Sequence, residues 1–347
     1  MLTINSKKSK INLSPVKLPK NYKGTIIVGF TDINYWPVAK LWYERMKVLN
    51  YTKQLRMYAL DTLVLEKMLS EFPKENVFSP TDLGDDFKVI NYKDNFNMEK
   101  RHMRKEHLHK IWKIRVDVTT ELLKQGYSVL QSDIDSLWLK HVDLEILPMN
   151  FDIIHSVGFG ENSIPHMVKN FWGFVICGCL VLYRPTEAVL RFWDGYKSVY
   201  NFKCIENGED DWCDDQKIIN KIHFRSGLHW AGDEELKTQQ NAWNQSALGV
   251  YKIGSFIKTK SYTDTESGLK KKSGIVPTHL TGTDIVTDIS DLQVLLASRN
   301  DWMRGGNLEM CENITNEASL PWIMMPGTKK RGYNKVQLFE DYKNCFQ

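Results

Sequence analysis

The chain has 347 residues, of which 42% are hydrophobic and 25% are charged. This composition is that of a globular protein with enough apolar residues for a large core, and it excludes a disordered or fibrous chain. The net charge of +4 arises from 46 basic and 42 acidic residues, and so small an excess gives no reason to expect a nucleic-acid partner.

The N-terminal segment is basic and contains no acidic residue. Its lysines are Lys7, Lys8, Lys10, Lys17 and Lys20. Because no sustained periodicity runs through the segment, we expect a mobile arm over residues 1–21 whose charges are solvated. Contact with an anionic surface is the less favoured alternative.

The first apolar run and the cysteines bear on the cellular compartment. The run at residues 25–30 is far too short to cross a bilayer. The six cysteines are few for a chain of this length, and none belongs to a CxxC pair. We therefore expect a soluble, cytoplasmic protein with reduced thiols and no integral membrane segment.

Strands and helices alternate at the start of the chain. Residues 24–30 form an apolar run typical of a buried strand, and Pro37 stands where a helix would begin. Residues 54–60 predict a second strand, after which Asp61 is placed to cap a helix at residues 63–72. This alternation predicts an α/β fold.

A third strand is predicted at residues 87–91. The resulting sheet is expected to be mixed and mostly parallel, with helices packed on it. In such sheets, ligands bind at the carboxyl ends of the strands. Thr31 and Asp32 follow the first strand directly, which makes them candidate binding residues.

A basic segment, EKRHMRKEHLHKIWKIR, covers residues 99–115. Most of its charges are typical of a solvated helix face. Arg115 is different because it falls on the apolar stripe of the helix, one turn after Ile111. A buried guanidinium needs an anion, which is either a carboxylate in a structural ion pair or a ligand phosphate. The sequence leaves both interpretations open.

Two carboxylates follow the next predicted strand. Gly126 closes the preceding helix, residues 127–131 form a buried strand, and Asp133 and Asp135 stand where that strand runs out. An apolar segment follows at once. Carboxylates between apolar segments are costly to bury without a partner, so we expect Asp133 and Asp135 to share a cation.

The second half of the chain contributes further strands and short helices. Strands are predicted at residues 151–157 and 172–183, and Gly178 interrupts the second of them in the manner of a bulge. A helix follows Pro185, and an acidic stretch leads into a short helix near Gln216. Late strands are predicted at residues 251–257 and 274–280, the last of which ends at His279.

These blocks, in this order, carry a resemblance. The helix with Arg115, GYSVLQSDIDSLWL, WGFVICGCLVLYRPT, DDQKIIN and VPTHLTG resemble the nucleotide-diphospho-sugar transferases of the GT-A, Rossmann-like fold. The similarity is greatest to glycosyltransferase family 77, with family 8 as a relative. The resemblance implies a GT-A domain over residues 22–305, with a nucleotide-binding half at about 22–140, an acceptor half at about 141–305 and a C-terminal extension at 306–347.

The resemblance implies a metal-dependent glycosyltransferase that moves a sugar from a nucleotide diphosphate, with UDP favoured, to a glycan, glycoprotein or other hydroxyl acceptor, with retention of configuration. Asp133, Asp135 and His279 would hold Mn²⁺ or Mg²⁺ between the donor phosphates. Such cations prefer hard oxygen ligands and offset charge on a departing diphosphate.

The resemblance also assigns donor and catalytic residues. Thr31 and Asp32 would lie near the base and ribose, and Arg115 and Asp133 near the phosphates. Asp215 and Gln216 match an Asp-Gln pair beside the donor sugar and are the candidate catalytic residues.

Gly178 and Gly282 belong to further donor-contacting blocks, and both blocks depart from the pattern of relatives. Relatives often have Asn-x-Gly at the block of Gly178. Family 8 members carry a lysine shortly after the final His-x-x-Gly, where this chain has Thr283 and Asp284.

Two other functions are compatible with an isolated Asp-x-Asp. A phosphohydrolase of the haloacid-dehalogenase type uses the first aspartate as a nucleophile, but it would carry threonine or valine where Leu137 stands. A noncatalytic module that binds nucleotide sugars is the second alternative.

Overall fold

The computed structural model describes the chain in segments. These are residues 15–84, 87–91, 101–143, 147, 151–158, 175–206, 214–225, 229–230, 253–256, 262–263, 270–271, 292–296, 302–304 and 323–325. The predicted strand at 274–280 and most of the basic arm lie outside these residues.

Strands and helices alternate through the first part of the chain, as the sequence predicts. In chain order the elements are β1 (Gly24–Thr31), α1 (Trp36–Val48), β2 (Leu55–Ala59), α2 (Thr62–Glu71), β3 (Val77–Phe78), α3 (Arg101–Lys124), β4 (Tyr127–Ser132) and β5 (Leu137–Trp138). Short 3₁₀ turns occur at Ile33–Tyr35, Thr52–Gln54, Lys74–Asn76 and Pro80–Leu83.

The rest of the described chain is richer in strands. Its elements are β6 (Ile153–Gly158), β7 (Val175–Tyr183), α4 (Glu187–Tyr200), α5 (Asp215–Arg225), β8 (His229–Trp230), β9 (Ile253–Phe256), β10 (Tyr262–Thr263), β11 (Lys270–Lys271), β12 (Gln293–Leu296), β13 (Trp302–Arg304) and β14 (Ile323–Met325). A π-helical turn, Asn201–Glu206, extends α4.

The main sheet confirms the expected α/β class. Among the described residues its strand order is β3-β2-β1-β4-β7-β6-β12-β9-β8. Strands β3, β2, β1 and β4 run parallel to one another, whereas β7 is antiparallel to both β4 and β6. The parallel strands β1 and β4 lie side by side, so the residues that follow them meet at one edge of the sheet.

Helices cover both faces of this sheet. Alternate residues of β1 point to opposite faces: Ile26 and Val28 join the core beneath α3, α4 and α5, and Ile27 joins the core beneath α1 and α2. Gly29 faces the ring of Trp42 so closely that a Cβ would lie 3.0 Å from that ring.

The ends of two helices follow the sequence signals closely. Asp61 caps α2 by accepting a hydrogen bond from the Val64 amide at 2.8 Å. Gly126 ends α3 with a positive φ of 91° and lies so close to the Asn21 carbonyl that a Cβ would be 2.5 Å from its oxygen. Both residues fill the roles that the sequence predicts.

The predicted third strand at residues 87–91 is wrong. The strand next to β2 is β3, Val77–Phe78, and residues 87–91 contribute a single bridge between Ile90 and Asp61. The short pair Val77 and Phe78 carries too little local periodicity to be recognised. Its position depends on its register with β2.

One further property concerns membranes. Within the part of the chain that the structure describes, no helix combines the length and the apolar character that crossing a bilayer requires.

Candidate active site

The turn after β1 forms one side of the candidate site. Asp32 caps the 3₁₀ turn Ile33–Tyr35 and is only 5% exposed. Its Oδ1 accepts a hydrogen bond from the Tyr35 amide at 3.0 Å, and its Oδ2 accepts one from Asn34 Nδ2 at 3.2 Å. The Asp32 carboxylate therefore shapes the turn from within.

The turn that carries the two aspartates is fixed by the core on its other side. The Asp133 amide donates to the Cys179 carbonyl on β7 at 2.9 Å, and the Ser136 amide donates to the Asp133 carbonyl at 3.0 Å. Ile134 is 4% exposed and packs in the core between the two aspartates. Asp133 and Asp135, on either side of this residue, both line one cavity.

The apolar run after the aspartates anchors this turn to α1. Trp138 is fully buried, and its indole N–H donates to Ser132 Oγ at 2.9 Å. The indole of Trp42 donates to the Ser136 carbonyl at 3.1 Å, and Arg45 Nε donates to the Trp138 carbonyl at 2.7 Å. These bonds hold the aspartate turn on a rigid element.

Arg115 joins two carboxylates that come from different parts of the chain. Its Nη2 donates to Asp133 Oδ1 at 3.0 Å, and its Nε lies 3.3 Å from Asp215 Oδ2 in an ion pair. The guanidinium also lies 5.7 Å from the centre of the Phe30 ring. Arg115 thus forms the carboxylate ion pairs of the structural interpretation. It also lines a cavity, as the interpretation of Arg115 as a phosphate-binding residue requires.

Asp215 and Gln216 begin α5 and bring its N-terminus to β7. The Gly178 amide donates to Gln216 Oε1 at 3.5 Å, so these two predicted site residues are neighbours. Among the residues that the structure describes, none would lie within 4 Å of a Cβ on Gly178, so they leave open space beside this glycine. The strand register shifts opposite Gly178, between His155 and Ser156, in agreement with the predicted bulge.

Ile176 stands where the Asn-x-Gly pattern of relatives would place an asparagine. Ile176 stands two residues before Gly178 and is fully buried. Its amide and carbonyl are both bonded by the side chain of Asn220, each at 2.7 Å. The amide side chain at this point of β7 therefore comes from α5, where Asn220 fixes the helix to the strand.

A cavity of about 230 Å³ connects the ends of β1 and β4. Its lining combines an aromatic and polar end from the β1 turn with a charged end from Arg115 and the two aspartates. The lining residues are Phe30, Thr31, Asp32, Asn34, Tyr35, Leu60, Leu108, Ile111, Trp112, Arg115, Asp133, Ile134 and Asp135.

Burial and charge act against each other at Asp133. The net pKa of the Asp133 carboxyl is raised to about 6: burial raises it most, Arg115 lowers it, and Asp135 and Asp215 raise it. Burial also raises the pKa of Asp214 to about 6, with a further contribution from Asp215. Burial lowers the pKa of Arg115, but Asp215 and Asp133 outweigh that effect, so its net pKa lies above the ordinary value. Negative charge therefore accumulates around a single guanidinium.

The structure brings most of the predicted site residues together. Thr31, Asp32, Arg115, Asp133 and Asp135 line one cavity. The ion pair with Arg115 places Asp215 beside them, and Gln216 and Gly178 are linked to each other. The predicted residues His279 and Gly282 lie outside the described residues.

Asn34, Tyr35 and Trp112 are among the lining residues that the sequence did not predict. Asn34 and Tyr35 belong to the turn between β1 and α1 and become recognisable once a ligand is expected at that strand end. Trp112 lies one helical turn before Arg115. Because residues three apart on a helix share a face, its position next to Arg115 was the available signal.

The carboxylates fit a hard divalent cation. Asp133 and Asp135 offer oxygen ligands in the same cavity, and such oxygens suit Mn²⁺ and Mg²⁺. Among the residues that the structure describes, no group of three His, Cys, Asp or Glu side chains is arranged as a metal site. The third predicted ligand, His279, is not among those residues, so the metal stays a prediction.

Comparison with known proteins identifies a family. The model of the nucleotide-diphospho-sugar transferases matches residues 57–283 of this chain. This span is well over half of the sequence and includes Arg115, both aspartates of the turn, Asp215 and His279. A search of the curated proteins finds no match.

Solved structures of glycosyltransferases are also similar, at low identity. The galactosyltransferase LgtC in complex with donor and acceptor sugar analogs has 10% identity and a TM-score of 0.40, with coverage of 93% of this chain and 96% of LgtC. An active-site mutant of LgtC has 10% identity and a TM-score of 0.39 at the same coverage. The apo bifunctional glycosyltransferase WbbM has 11% identity and a TM-score of 0.35, with coverage of 59% of this chain and 38% of WbbM.

Proposed function

The chain belongs to the nucleotide-diphospho-sugar transferase family, and from this premise we propose that it moves a sugar from a UDP-sugar to a hydroxyl of a glycan or glycoprotein. As a member of that family with the GT-A fold, it is a glycosyltransferase. The identity of the donor, the metal requirement, the acceptor and the retention of configuration are parts of the proposal.

One observation carries the proposal. Asp133, Asp135 and Arg115 line the same cavity as the β1 turn, at the carboxyl ends of two adjacent parallel strands. A nucleotide diphosphate needs an aromatic and polar surface for its nucleoside and a charged site for its phosphates. The β1 turn provides the first at one end of the cavity, and Arg115 and the aspartates provide the second at the other end. The aspartates need a cation to accept a diphosphate, which is the reason for proposing a metal.

The β1 turn is assigned to the nucleoside. Tyr35 and Phe30 provide aromatic surface, and Asn34 provides an amide beside them. Tyr35 is 39% exposed, and an exposed ring at a cavity wall is suited to packing against a base or ribose. Thr31 and Asp32 close the same end.

The charged end is assigned to the diphosphate. Asp133 and Asp135 would hold Mn²⁺ or Mg²⁺, with His279 as the proposed third ligand. When bound, the ion supplies positive charge that stabilises the departing nucleoside diphosphate. Arg115 contributes a second positive charge at this end and orients the Asp133 carboxylate through their 3.0 Å hydrogen bond.

Asp215 and Gln216 are assigned to the donor sugar. Arg115 orients the Asp215 carboxylate, and the Tyr196 hydroxyl donates to its main-chain carbonyl at 3.1 Å. An ionised Asp215 would stabilise positive charge that develops at the anomeric carbon as the diphosphate leaves. Gln216 has its side chain at the open space next to Gly178, where a sugar hydroxyl has room to bind.

The two alternative functions have less support. The phosphohydrolase interpretation rests on Asp-x-Asp alone and requires threonine or valine at position 137, where Leu137 is buried in the core. A noncatalytic module would bind nucleotide sugars without turnover. Neither alternative gives Asp215 a role beside Arg115.

The proposal is tested with a panel of nucleotide sugars. We expect manganese-dependent release of the nucleoside diphosphate from one of them, with UDP sugars as the first candidates. Release of inorganic phosphate from a phosphate ester, without any sugar nucleotide, would instead support the phosphohydrolase. Tight binding without any release would support the noncatalytic module.

A further inference from the structure

Asp61 connects the ends of two strands through its side chain. It follows β2, is fully buried, and does not belong to the lining of the cavity. Its Oδ1 accepts from the Val64 amide at 2.8 Å, which is the helix cap that the sequence predicts. Its Oδ2 accepts from the Ile33 amide at 2.7 Å, and this second bond has no signal in the local sequence.

The second bond reaches the turn that forms the nucleoside end of the cavity. Ile33 is the first residue of the 3₁₀ turn that also contains Asn34 and Tyr35. Inside that turn, Asp32 bonds to the Tyr35 amide and to Asn34, which fixes the shape of the turn. The bond from Ile33 to Asp61 fixes its position relative to β2 and α2.

The surroundings of Asp61 make this bond strong. The Leu60 amide donates to the Thr31 carbonyl at 2.9 Å, and a bridge to Ile90 holds the backbone of Asp61 from the other side. These backbone contacts hold Asp61 beside the Ile33–Tyr35 turn. A hydrogen bond from a backbone N–H to a buried carboxylate is among the stronger bonds in proteins.

We propose that Asp61 is a positioning residue for the nucleoside of the donor, because its carboxylate holds the Ile33–Tyr35 turn against the end of β2. This inference rests on the proposed function. It concerns a residue that contacts neither the ligand nor the metal ligands, and it predicts that the two ends of the cavity respond differently when Asp61 is changed.

The test compares two probes by titration calorimetry in the presence of Mn²⁺. UDP occupies both ends of the cavity, and inorganic pyrophosphate occupies the charged end alone. In Asp61→Asn, a single acceptor oxygen has to serve two amide donors, so the turn loses one of its bonds. We expect the affinity for UDP to fall about tenfold or more, while the affinity for pyrophosphate changes less than about twofold.

A second variant removes the same bond from the other side. Ile33→Pro deletes the amide donor at the first residue of a helical turn, where proline is well tolerated. Asp32 before it has φ −111° and ψ 175°, a conformation that a following proline allows. This variant should show the same difference between UDP and pyrophosphate, and it carries the test if Asp61→Asn does not fold.

The control is a helix cap at another place. Thr186 Oγ1 caps α4 by accepting from the Val189 amide at 3.3 Å and donates to Asp152 at 2.8 Å. Thr186→Val removes a helix cap without touching the turn, and both probes should bind to it as they bind to the wild type.

Three results would overturn the inference. The first is unchanged UDP affinity in Asp61→Asn and Ile33→Pro. The second is an equal loss of UDP and pyrophosphate affinity, since general loosening of the fold affects both ends. The third is a wild-type protein that binds pyrophosphate but gains nothing from the nucleoside. Failure of the wild type to bind either probe is a distinct result, which contradicts the proposed function and removes this inference with it.

Discussion

The Arg115 guanidinium lies 3.3 Å from the Asp215 carboxylate, so a basic residue of α3 holds the candidate catalytic residue at the start of α5. The same side chain donates to Asp133 at 3.0 Å. One arginine therefore sets the relative position of the residue assigned to the donor sugar and a residue assigned to the metal. This relationship is the basis of the first two predictions.

Arg115→Ala should weaken both folding and donor binding. The variant leaves Asp133 and Asp215 without the guanidinium that pairs with them, and removal of one partner from a buried ion pair lowers the free energy of unfolding by roughly 3 kcal/mol. Arg115→Lys keeps the charge but cannot bond both carboxylates, so it should fall between the alanine variant and the wild type. Thermal unfolding and nucleotide titration measure the two effects.

The control for Arg115 is an arginine at the surface. Arg191 lies 4.0 Å from Glu187, whose side chain is 95% exposed, and Arg191→Ala should change neither folding nor nucleotide binding. Unchanged nucleotide affinity in Arg115→Ala, together with lower stability, would show that Arg115 is a structural ion-pair residue alone.

Asp215→Asn should lower the turnover number more than it changes the donor affinity. The amide keeps the shape of the side chain but cannot stabilise a developing positive charge, and the loss of one such interaction costs on the order of 100-fold in turnover. Steady-state kinetics at saturating donor measure this effect.

The neighbouring residue provides the control for Asp215. Asp214 accepts from the Lys217 amide at 2.9 Å at the start of α5. Asparagine caps a helix about as well as aspartate does, so Asp214→Asn should change the stability little and keep most of the turnover. Equal losses of turnover in the two variants would contradict the role of Asp215.

Gly178→Ala separates ligand contact from folding. No residue of the described segments lies within 4 Å of a Cβ at this position, so we expect an unchanged melting temperature. If the donor sugar binds beside Gly178, as proposed, the added methyl group should raise the KM for the donor. Unchanged kinetics would remove Gly178 from the site.

Gly29→Ala is the matched comparison for Gly178. A Cβ there would lie 3.0 Å from the Trp42 ring and 3.1 Å from Met57 Sδ. Since both neighbours are fully buried, this variant should be destabilised by about 1–3 kcal/mol.

Two buried histidines should make folding sensitive to acid. The rings of His155 and His223 lie 5.5 Å apart. Burial lowers the pKa of His223 to about 3, from an ordinary value of 6.5, and burial followed by the charge of His223 lowers the pKa of His155. Between pH 6.5 and about pH 3, His223 is protonated in the unfolded chain but not in the folded one. The free energy of unfolding therefore falls as the pH drops below 6.5.

His223→Leu isolates one of these contributions. Between pH 7.5 and pH 5, the variant should lose about 2 kcal/mol less stability than the wild type. Urea unfolding at the two pH values measures the difference. The same pH dependence in both proteins would mean that His223 is protonated in the folded state.

The sequence predicts the fold where local patterns are strong. Periodicity and turn chemistry identify β1, α1, β2 and β4 because each combines a long apolar pattern with a helix start or a glycine. These signals fail at β3, because two residues, Val77 and Phe78, are too few to form an apolar pattern. Residues 87–91 have the apolar pattern of a strand but form only a single bridge. Strand pairing decided the outcome at that edge of the sheet.

The site is predictable to a similar degree. Asp133, Asp135 and Arg115 could be found because charged residues stood within apolar patterns. The ion pair between Arg115 and Asp215 could not be derived from periodicity, since it depends on how α5 packs against β7. The buried bond from Ile33 to Asp61 was missed for the same reason, since Asp61 comes from another part of the chain. Asn34 and Tyr35 bond to the nearby Asp32 and become recognisable only once a ligand is expected at the end of β1.

Asp135→Ala tests the central claim most directly. The measurement is the release of nucleoside diphosphate from the preferred nucleotide sugar as Mn²⁺ is titrated, with thermal unfolding as the check on folding. We expect the variant to fold like the wild type and to lose turnover at every metal concentration. A variant that retains full activity at saturating donor and metal would contradict the assignment of the aspartates to a metal-diphosphate site.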